Sequence, residues 1–375
     1  MISHVAFSFT FLCAIGTSGA QKVVTRSSTI SSEYPLGESH SGCPSTHVPF
    51  PTPSLAGHQS CVEFTRAQGD ARAFLRANMP AFDKPNEATL FDGGIVGPTV
   101  DLALKARQQY PWAAKVPTDV FFDAVLPYAN VNEARSNWRP LLVQELSGLF
   151  NDTVATGTSS LSLKEAALLI NKHMWALLGA HNTARDPIAF KSEQTPLVYD
   201  PMSTMAFGYA SCTGISILYV SALRAFGIPA RLVGTPAWQG VAKNGNHNWV
   251  EVYLETEGVG QASHGGASQR SVKSKTSSGS MNGETGDFAW YFIEGQPAGP
   301  GEGFDNPCDK WFCNKAKFPS VNMTRVYATA FNRSVQSYPM AWDLNNSDIA
   351  GVDRTVWYNE VCGKCGSEAA RNIFV

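Results

Sequence analysis

Two residues in the second half of the sequence have the side chains and the local settings that thiol-based catalysis needs. Cys212 stands at the start of a predicted helix, where unpaired backbone N–H groups and the helix dipole stabilise a thiolate. His247 stands at the start of a predicted strand, where a rigid sheet can hold an imidazole against the thiol. Together they predict a nucleophilic thiolate with an adjacent base.

Such a pair also requires an acceptor that fixes the tautomer and the orientation of the imidazole ring. Glu294 follows directly after another predicted strand and fits that role. We therefore expect Cys212, His247 and Glu294 to form a catalytic triad.

The elements around these residues follow an α+β order. Residues 212–226 are apolar at helical spacing, and the run stops at Gly227. Three predicted strands follow at residues 230–234, 248–254 and 288–293. Between the last two strands, residues 255–287 are poor in large apolar side chains, so we predict a disordered hairpin loop there.

The preceding region, from about residue 62 to 183, has the patterns of a helical subdomain. Its clearest helix begins at a capping box, Ser162 to Glu165, and continues with apolar residues at helical spacing. Further helices are expected around residues 100–112, 119–128 and 138–150, with interruptions at Pro117, Pro127 and Pro140.

Two strings near Cys212 and His247 resemble the transglutaminase-like superfamily. These are Gly-Ile-Pro-Ala-Arg at residues 227–231 and His-Asn-Trp-Val-Glu-Val at residues 247–252, and the similarity covers about residues 200–310. The resemblance implies a papain-like core, in which an N-terminal catalytic helix packs on an antiparallel sheet. It also implies a Cys-His-Asp triad that transfers acyl groups through a thioester, with Cys212 as nucleophile and His247 as general base and acid.

The third triad position departs from the family pattern. Where the family usually has Asp shortly after the tryptophan of this strand, this chain has Glu294, which is one methylene longer. Either Glu294 reaches His247 with a slightly shifted backbone, or a nearby carboxylate, Asp305 or Asp287, replaces it.

The first twenty residues predict a signal peptide. An apolar run from Val5 to Ile15 precedes small residues that suit cleavage after Ala20. Cleavage would leave seven cysteines, and an odd number in an oxidising compartment indicates three disulfides and one free thiol. Cys212 stands alone and is expected to be the free one. Proximity predicts the pairs Cys43–Cys61, Cys308–Cys313 and Cys362–Cys365.

The composition is that of a packed globule. Charged residues make up 16% of the 375 residues and the net charge is −2, so we expect no nucleic-acid partner. No segment after residue 20 has the run of roughly 18 apolar residues that a spanning helix needs, so no stable membrane insertion is expected. We predict no cofactor and no metal site. Four sequons, at Asn151, Asn322, Asn332 and Asn345, fit a secreted glycoprotein.

The predicted segments are a signal peptide (1–20), a Ser/Thr/Pro-rich arm (21–60), a helical subdomain (61–185), a transglutaminase-like core (186–335) and a disulfide-bearing C-terminal extension (336–375). The expected function is secreted, thiol-dependent acyl transfer on protein or peptide amides, in which an amine or water resolves the thioester. The alternative is a secreted binding or wall-associated protein that keeps the fold with weak or no catalysis. Its support is the glutamate in place of the family's aspartate.

Overall fold

Helices fill the first part of the described chain, and strands fill most of the remainder. The computed structural model describes residues 57–151, 161–194, 198–256, 288–299, 301–320, 323–339 and 348–366. The helices are α1 (Gly57–Ala77), α2 (Glu87–Asp92), α3 (Val96–Gln109), α4 (Pro111–Ala114), α5 (Thr118–Ala124), α6 (Trp138–Leu146), α7 (Leu163–Gly179), α8 (Pro201–Phe207), α9 (Cys212–Ala225) and α10 (Thr355–Cys362). Short 3-10 turns lie at Lys84–Asn86, Ser147–Phe150, Ser192–Gln194, Trp238–Gly240, Ala242–Asn244 and Pro307–Asp309.

The strands form one main sheet and one small parallel pair. They are β1 (Ala189–Phe190), β2 (Tyr209–Ala210), β3 (Ala230–Thr235), β4 (His247–Glu255), β5 (Phe288–Ile293), β6 (Tyr327–Thr329), β7 (Ser337–Tyr338) and β8 (Ile349–Asp353). The six-stranded sheet has the order β5-β4-β3-β6-β8-β7, and its neighbouring strands are antiparallel. Strands β1 and β2 pair in parallel just before Cys212. Helices with an antiparallel sheet confirm the predicted α+β class.

The helical region agrees with the sequence patterns in most places. The capping box at the start of α7 is present, because Ser162 accepts from the Glu165 backbone N–H and the Glu165 carboxyl accepts from the Ser162 backbone N–H. Pro140 does not interrupt its helix. It lies in the first turn of α6, where backbone N–H groups have no partner within the helix, so a proline costs nothing there.

The main sheet is buried on both faces because β4 and β5 alternate apolar side chains between two cores. Val250, Val252 and Ile293 face the core that includes α7 and α9. Trp249 and Phe292 face a second core, built with Phe312, Phe318 and residues of α10. The sheet therefore carries α9 on one side and the C-terminal segment on the other.

The C-terminal segment is part of this sheet. Strand β8 pairs with β6, and α10 packs in the second core, so the predicted C-terminal extension (336–375) contributes a strand and a helix to the fold. The disulfides are Cys308–Cys365 and Cys313–Cys362, so the predicted pairs Cys308–Cys313 and Cys362–Cys365 are wrong. Sequence proximity failed because α10 folds back onto the loop at residues 307–313, which places the cysteines of each segment opposite those of the other.

Several expectations lie outside the described residues. These are the signal peptide, most of the arm, the Cys43–Cys61 bridge and the insert from residue 257 to 287. Helix α1 begins at Gly57, within the segment that we assigned to the arm. Within the described ranges, no helix has both the length and the hydropathy to cross a membrane.

Candidate active site

Cys212 is the first residue of α9 and is partly exposed, whereas the rest of this 14-residue helix is buried. Its thiol is free, as the cysteine count predicts. The side chain of the preceding Ser211 makes no capping hydrogen bond, so it does not occupy the N–H groups of the first turn. Those groups and the helix dipole favour negative charge at the thiol.

His247 and Asn248 approach the Cys212 thiol from β4. Burial raises the pKa of the Cys212 thiol. The hydrogen bond and the charge of His247, together with the backbone N–H of Asn248, lower this pKa by a larger amount, so the net value lies below that of an ordinary thiol. The Asn248 side chain accepts from the Thr213 hydroxyl at 2.8 Å, which ties β4 to the first turn of α9. The thiol and the imidazole are thus held by two buried elements.

His247 is buried at the start of β4, and its ring lies between aromatic side chains. Its Nε2 contacts Oε1 of Glu294, which leaves Nδ1 as the ring nitrogen for the thiol. The Trp311 ring, 49% exposed, has its centroid 4.8 Å from that of His247, and Phe312 lies 5.2 Å away on the buried side. The aromatic neighbours restrict the rotation of the imidazole.

Glu294 follows β5 directly and is only 1% exposed. Ile293 pairs with Val250, so the next residue along β5 lies beside Trp249, on the face to which His247 also belongs. Diagonal neighbours on one face of an antiparallel pair lie within reach of long side chains. The longer side chain of glutamate therefore reaches His247 from this register.

Asn171 of α7 holds the backbone around Glu294. Its Nδ2 donates to the Glu294 carbonyl at 2.9 Å, and its Oδ1 accepts from the backbone N–H of Gln296 at 2.9 Å. Sequence reasoning missed this residue. The available signal was one buried amide on an otherwise apolar helix face, because such a group requires partners.

A second carboxyl group lies next to Glu294. Glu302 Oε2 accepts from the backbone N–H of Glu294 at 3.2 Å, and the two carboxyl groups lie close to each other beside Gly299. Burial raises the pKa of both glutamates, and the charge of Glu294 raises that of Glu302 further. The Trp311 indole and the Lys310 ammonium act in the opposite direction on Glu294.

Of the two alternative third members, only Asp305 is among the described residues. Asp305 pairs with Lys164 of α7, and its side chain is 75% exposed. Asp287 is outside the described residues. The structure therefore brings Cys212, His247 and Glu294 together and leaves Asp305 at the surface.

The motif residues Arg231 and Glu251 form a buried ion pair. Arg231 donates to Glu251 Oε2 at 2.6 Å, and Arg354 and Tyr358 donate to Oε1 at 3.0 and 2.9 Å. Burial alone would raise the pKa of Glu251, but the two arginines bring it below its ordinary value. These residues join β3 and β4 to α10 and do not contact the thiol.

Residues 176–260 match the sequence model of the transglutaminase-like superfamily. This range includes Cys212 and His247 and stops before Glu294. The chain carries a transglutaminase-like core. Searches of curated proteins and of solved structures each gave no match to the chain.

Chemically, this transglutaminase-like site offers a partly exposed thiol of lowered pKa and an imidazole held by a buried carboxyl group. Those are the groups that nucleophilic attack on a carbonyl carbon and protonation of a leaving amine require. Within the described part of the chain, no cluster of His, Cys, Asp and Glu has the arrangement of a metal site.

Proposed function

We propose that the protein is a thiol-dependent acyltransferase acting on protein or peptide amides. The observation that supports this most directly is that His247 lies between the Cys212 thiol, whose pKa it lowers, and Glu294, within a region similar to a transglutaminase-like core. Cys212 is the nucleophile, His247 the general acid and base, and Glu294 the group that orients the imidazole.

In the first half-reaction, the Cys212 thiolate attacks the carbonyl carbon of a carboxamide. The C–S bond forms and the C–N bond breaks, and the His247 imidazolium gives its proton to the departing ammonia or amine. Glu294 holds Nε2 of the ring by its contact with Oε1, so Nδ1 is the nitrogen that carries the transferred proton. The product is a thioester on Cys212.

In the second half-reaction, a nucleophile resolves the thioester. Neutral His247 takes a proton from a primary amine or from water as that nucleophile attacks the thioester carbon, and the Cys212 thiolate leaves. An amine gives a new amide, which crosslinks two proteins when it is a lysine, whereas water gives a carboxylate.

The alternative, a secreted binding protein without catalysis, drew its support from the glutamate at position 294. The contact between Glu294 and His247 is the one expected of the aspartate in such a triad, so it supports the catalytic proposal.

We also propose that the protein is exported. Two disulfides between separate segments are typical of oxidising compartments, and the apolar N-terminal run fits a signal peptide.

A screen of glutamine-containing peptides with a biotinylated primary amine, read by mass spectrometry, tests the function. We expect amine incorporation or deamidation by the wild type and neither product from Cys212→Ala. Products that persist in Cys212→Ala, or a wild type without product on any donor in the screen, would contradict the proposal.

A further inference from the structure

The second oxygen of Glu294 poses a problem that the proposed triad leaves open. Oε1 contacts His247, but Oε2 is buried and, among the described residues, has no hydrogen-bond partner of normal geometry, although the Trp311 indole lies near this carboxyl group. A carboxylate oxygen left without a donor inside a protein is costly, so this atom requires a partner.

The polar group that faces this oxygen is the Glu302 carboxyl. Both carboxyl groups point at Gly299, because a Cβ placed on that glycine would come within 2.5 Å of Glu294 Oε2 and within 2.6 Å of Glu302 Oε1. Two ionised carboxylates would repel each other here. One proton between them converts the repulsion into a hydrogen bond and gives Oε2 its donor.

We propose that Glu302 is a positioning residue: its carboxyl group shares one proton with Glu294 and so holds Glu294 in the orientation that contacts His247. The inference rests on the proposed catalytic triad. The backbone N–H of Glu294, which donates to Glu302 Oε2 at 3.2 Å, fixes the second carboxyl group in turn.

The surroundings supply little competing charge. His247 faces the pair from β4, with Cys212 behind it on α9, and α7 contributes the neutral Asn171. Lys310 adds a buried positive charge, but its ammonium already donates to Asp309 Oδ1 at 2.5 Å and to the Gly303 and Asn306 carbonyls. With one shared proton, the carboxyl pair carries a single negative charge, which balances the positive charge of a His247 imidazolium.

The rate at which iodoacetamide alkylates Cys212 tests this without knowledge of the substrate. The rate is measured between pH 5 and pH 10 by mass spectrometry of the Cys212 peptide. The two carboxyl groups titrate as one pair, and the shared proton is lost at a raised pKa of about 8, so the wild type should show a second inflection near that pH.

Two variants separate positioning from bulk structure. Glu302→Gln keeps an N–H donor but cannot ionise, so it should react within about twofold of the wild type at neutral pH and lack the second inflection. Glu302→Leu removes the donor, and its alkylation at neutral pH should be slower by about tenfold. Asp305→Asn, a neutralised carboxylate on the same loop, is the control and should keep the wild-type profile.

Thermal stability provides a readout that is independent of reactivity. The shared proton is lost from the folded chain at a pKa raised to about 8, against roughly 4.3 for an unfolded glutamate, so the wild type loses stability as pH rises from there through about 8. Glu302→Gln should lose less stability over this pH range, and at pH 9 its Tm should be higher than that of the wild type.

Several outcomes would overturn the inference. A second inflection that persists in Glu302→Gln, or a Glu302→Leu profile identical to that of the wild type, would exclude the shared proton while leaving the triad intact. If wild-type Cys212 reacts at pH 6.5 no faster than a free thiol in a peptide, the triad itself is wrong, and this inference falls with it.

Discussion

At the scale of single residues, the proposed site has a glutamate at the position where the family resemblance implies an aspartate. Glu294 reaches His247 because the register of β4 and β5 places it diagonally across from the ring, and because Asn171 fixes its backbone. The side-chain length and the backbone position thus fit each other.

Glu294→Gln should fold normally but lose activity. The amide can present its N–H group to the ring, which favours the wrong imidazole tautomer, so turnover should fall by roughly 10³- to 10⁴-fold. Amine incorporation by the purified variant measures the effect. Asp305→Asn is the matched control and should stay near wild-type activity, because Asp305 pairs with Lys164 at the surface. An inactive Asp305→Asn beside an active Glu294→Gln would reverse the assignment.

Cys212, His247 and Glu294 could be predicted from the sequence because each stands at the end of an element with a clear hydrophobic pattern. Asn171 and Glu302 could not. Asn171 lies on the buried face of a helix whose other buried residues are apolar, and Glu302 lies in an irregular loop whose path is set by contacts with distant residues. The position of Asn171 on an apolar helix face indicates that it needs partners, but nothing in the local sequence identifies those partners or the contacts of Glu302.

At the scale of elements, the buried Glu251 anchors β4 to β3 and α10. Glu251→Gln leaves Arg231 and Arg354 without their anion, and at neutral pH this should lower the free energy of unfolding by about 3–5 kcal/mol. Denaturant unfolding measures it. Glu255→Gln removes a more exposed pair with Lys115 and should cost about 1 kcal/mol or less.

The difference in the free energy of unfolding between the wild type and Glu251→Gln should depend on pH, because the pKa of Glu251 is lowered in the folded chain. A carboxyl group whose folded pKa is depressed stabilises the fold above its unfolded pKa of about 4.3, and this stabilisation is lost as pH falls through the folded pKa. The gap between wild type and Glu251→Gln should therefore shrink in acid. A gap that stays constant down to pH 2 would contradict the ion-pair account.

Strands β4 and β5 should form a hairpin without the long connection between them. Glu255 already pairs with Phe288, so replacing residues 257–287 by a short Gly-containing turn should preserve the fold. We expect Tm to change by a few degrees at most and the Cys212 alkylation rate to remain. Loss of the folded state would show that the connection is a structural element.

At the scale of the whole molecule, two disulfides fasten the C-terminal helix to the loop that carries Lys310, Trp311 and Phe312. They close loops with separations of 57 and 49 residues. Strands β3, β4 and β5, helices α7 and α9 and the free cysteine could be predicted, since these follow from local patterns and counting. The disulfide pairing could not be predicted, because that depends on α10 folding back across the sheet.

Peptide mapping under non-reducing conditions should find Cys308 joined to Cys365 and Cys313 joined to Cys362. The bridge Cys308–Cys365 encloses Cys313–Cys362, so with the inner bridge intact the outer one closes only a short loop and stabilises the fold by about 2–3 kcal/mol in the chain-entropy account; the double variant Cys308→Ala/Cys365→Ala should therefore have a lower Tm. Cys212→Ala, which removes a free thiol, is the control. Recovery of Cys308–Cys313 or Cys362–Cys365 peptides would refute the arrangement.

The central claim is that Cys212 carries an acyl group through a thioester with the help of His247. Its most direct test is to incubate the protein with p-nitrophenyl acetate, quench it in acid and locate the acetyl group by mass spectrometry. We predict acetylation at Cys212 that hydroxylamine reverses and that is strongly reduced in His247→Gln. The absence of acetyl-Cys212 in the wild type, or equal acetylation in His247→Gln, would contradict the account.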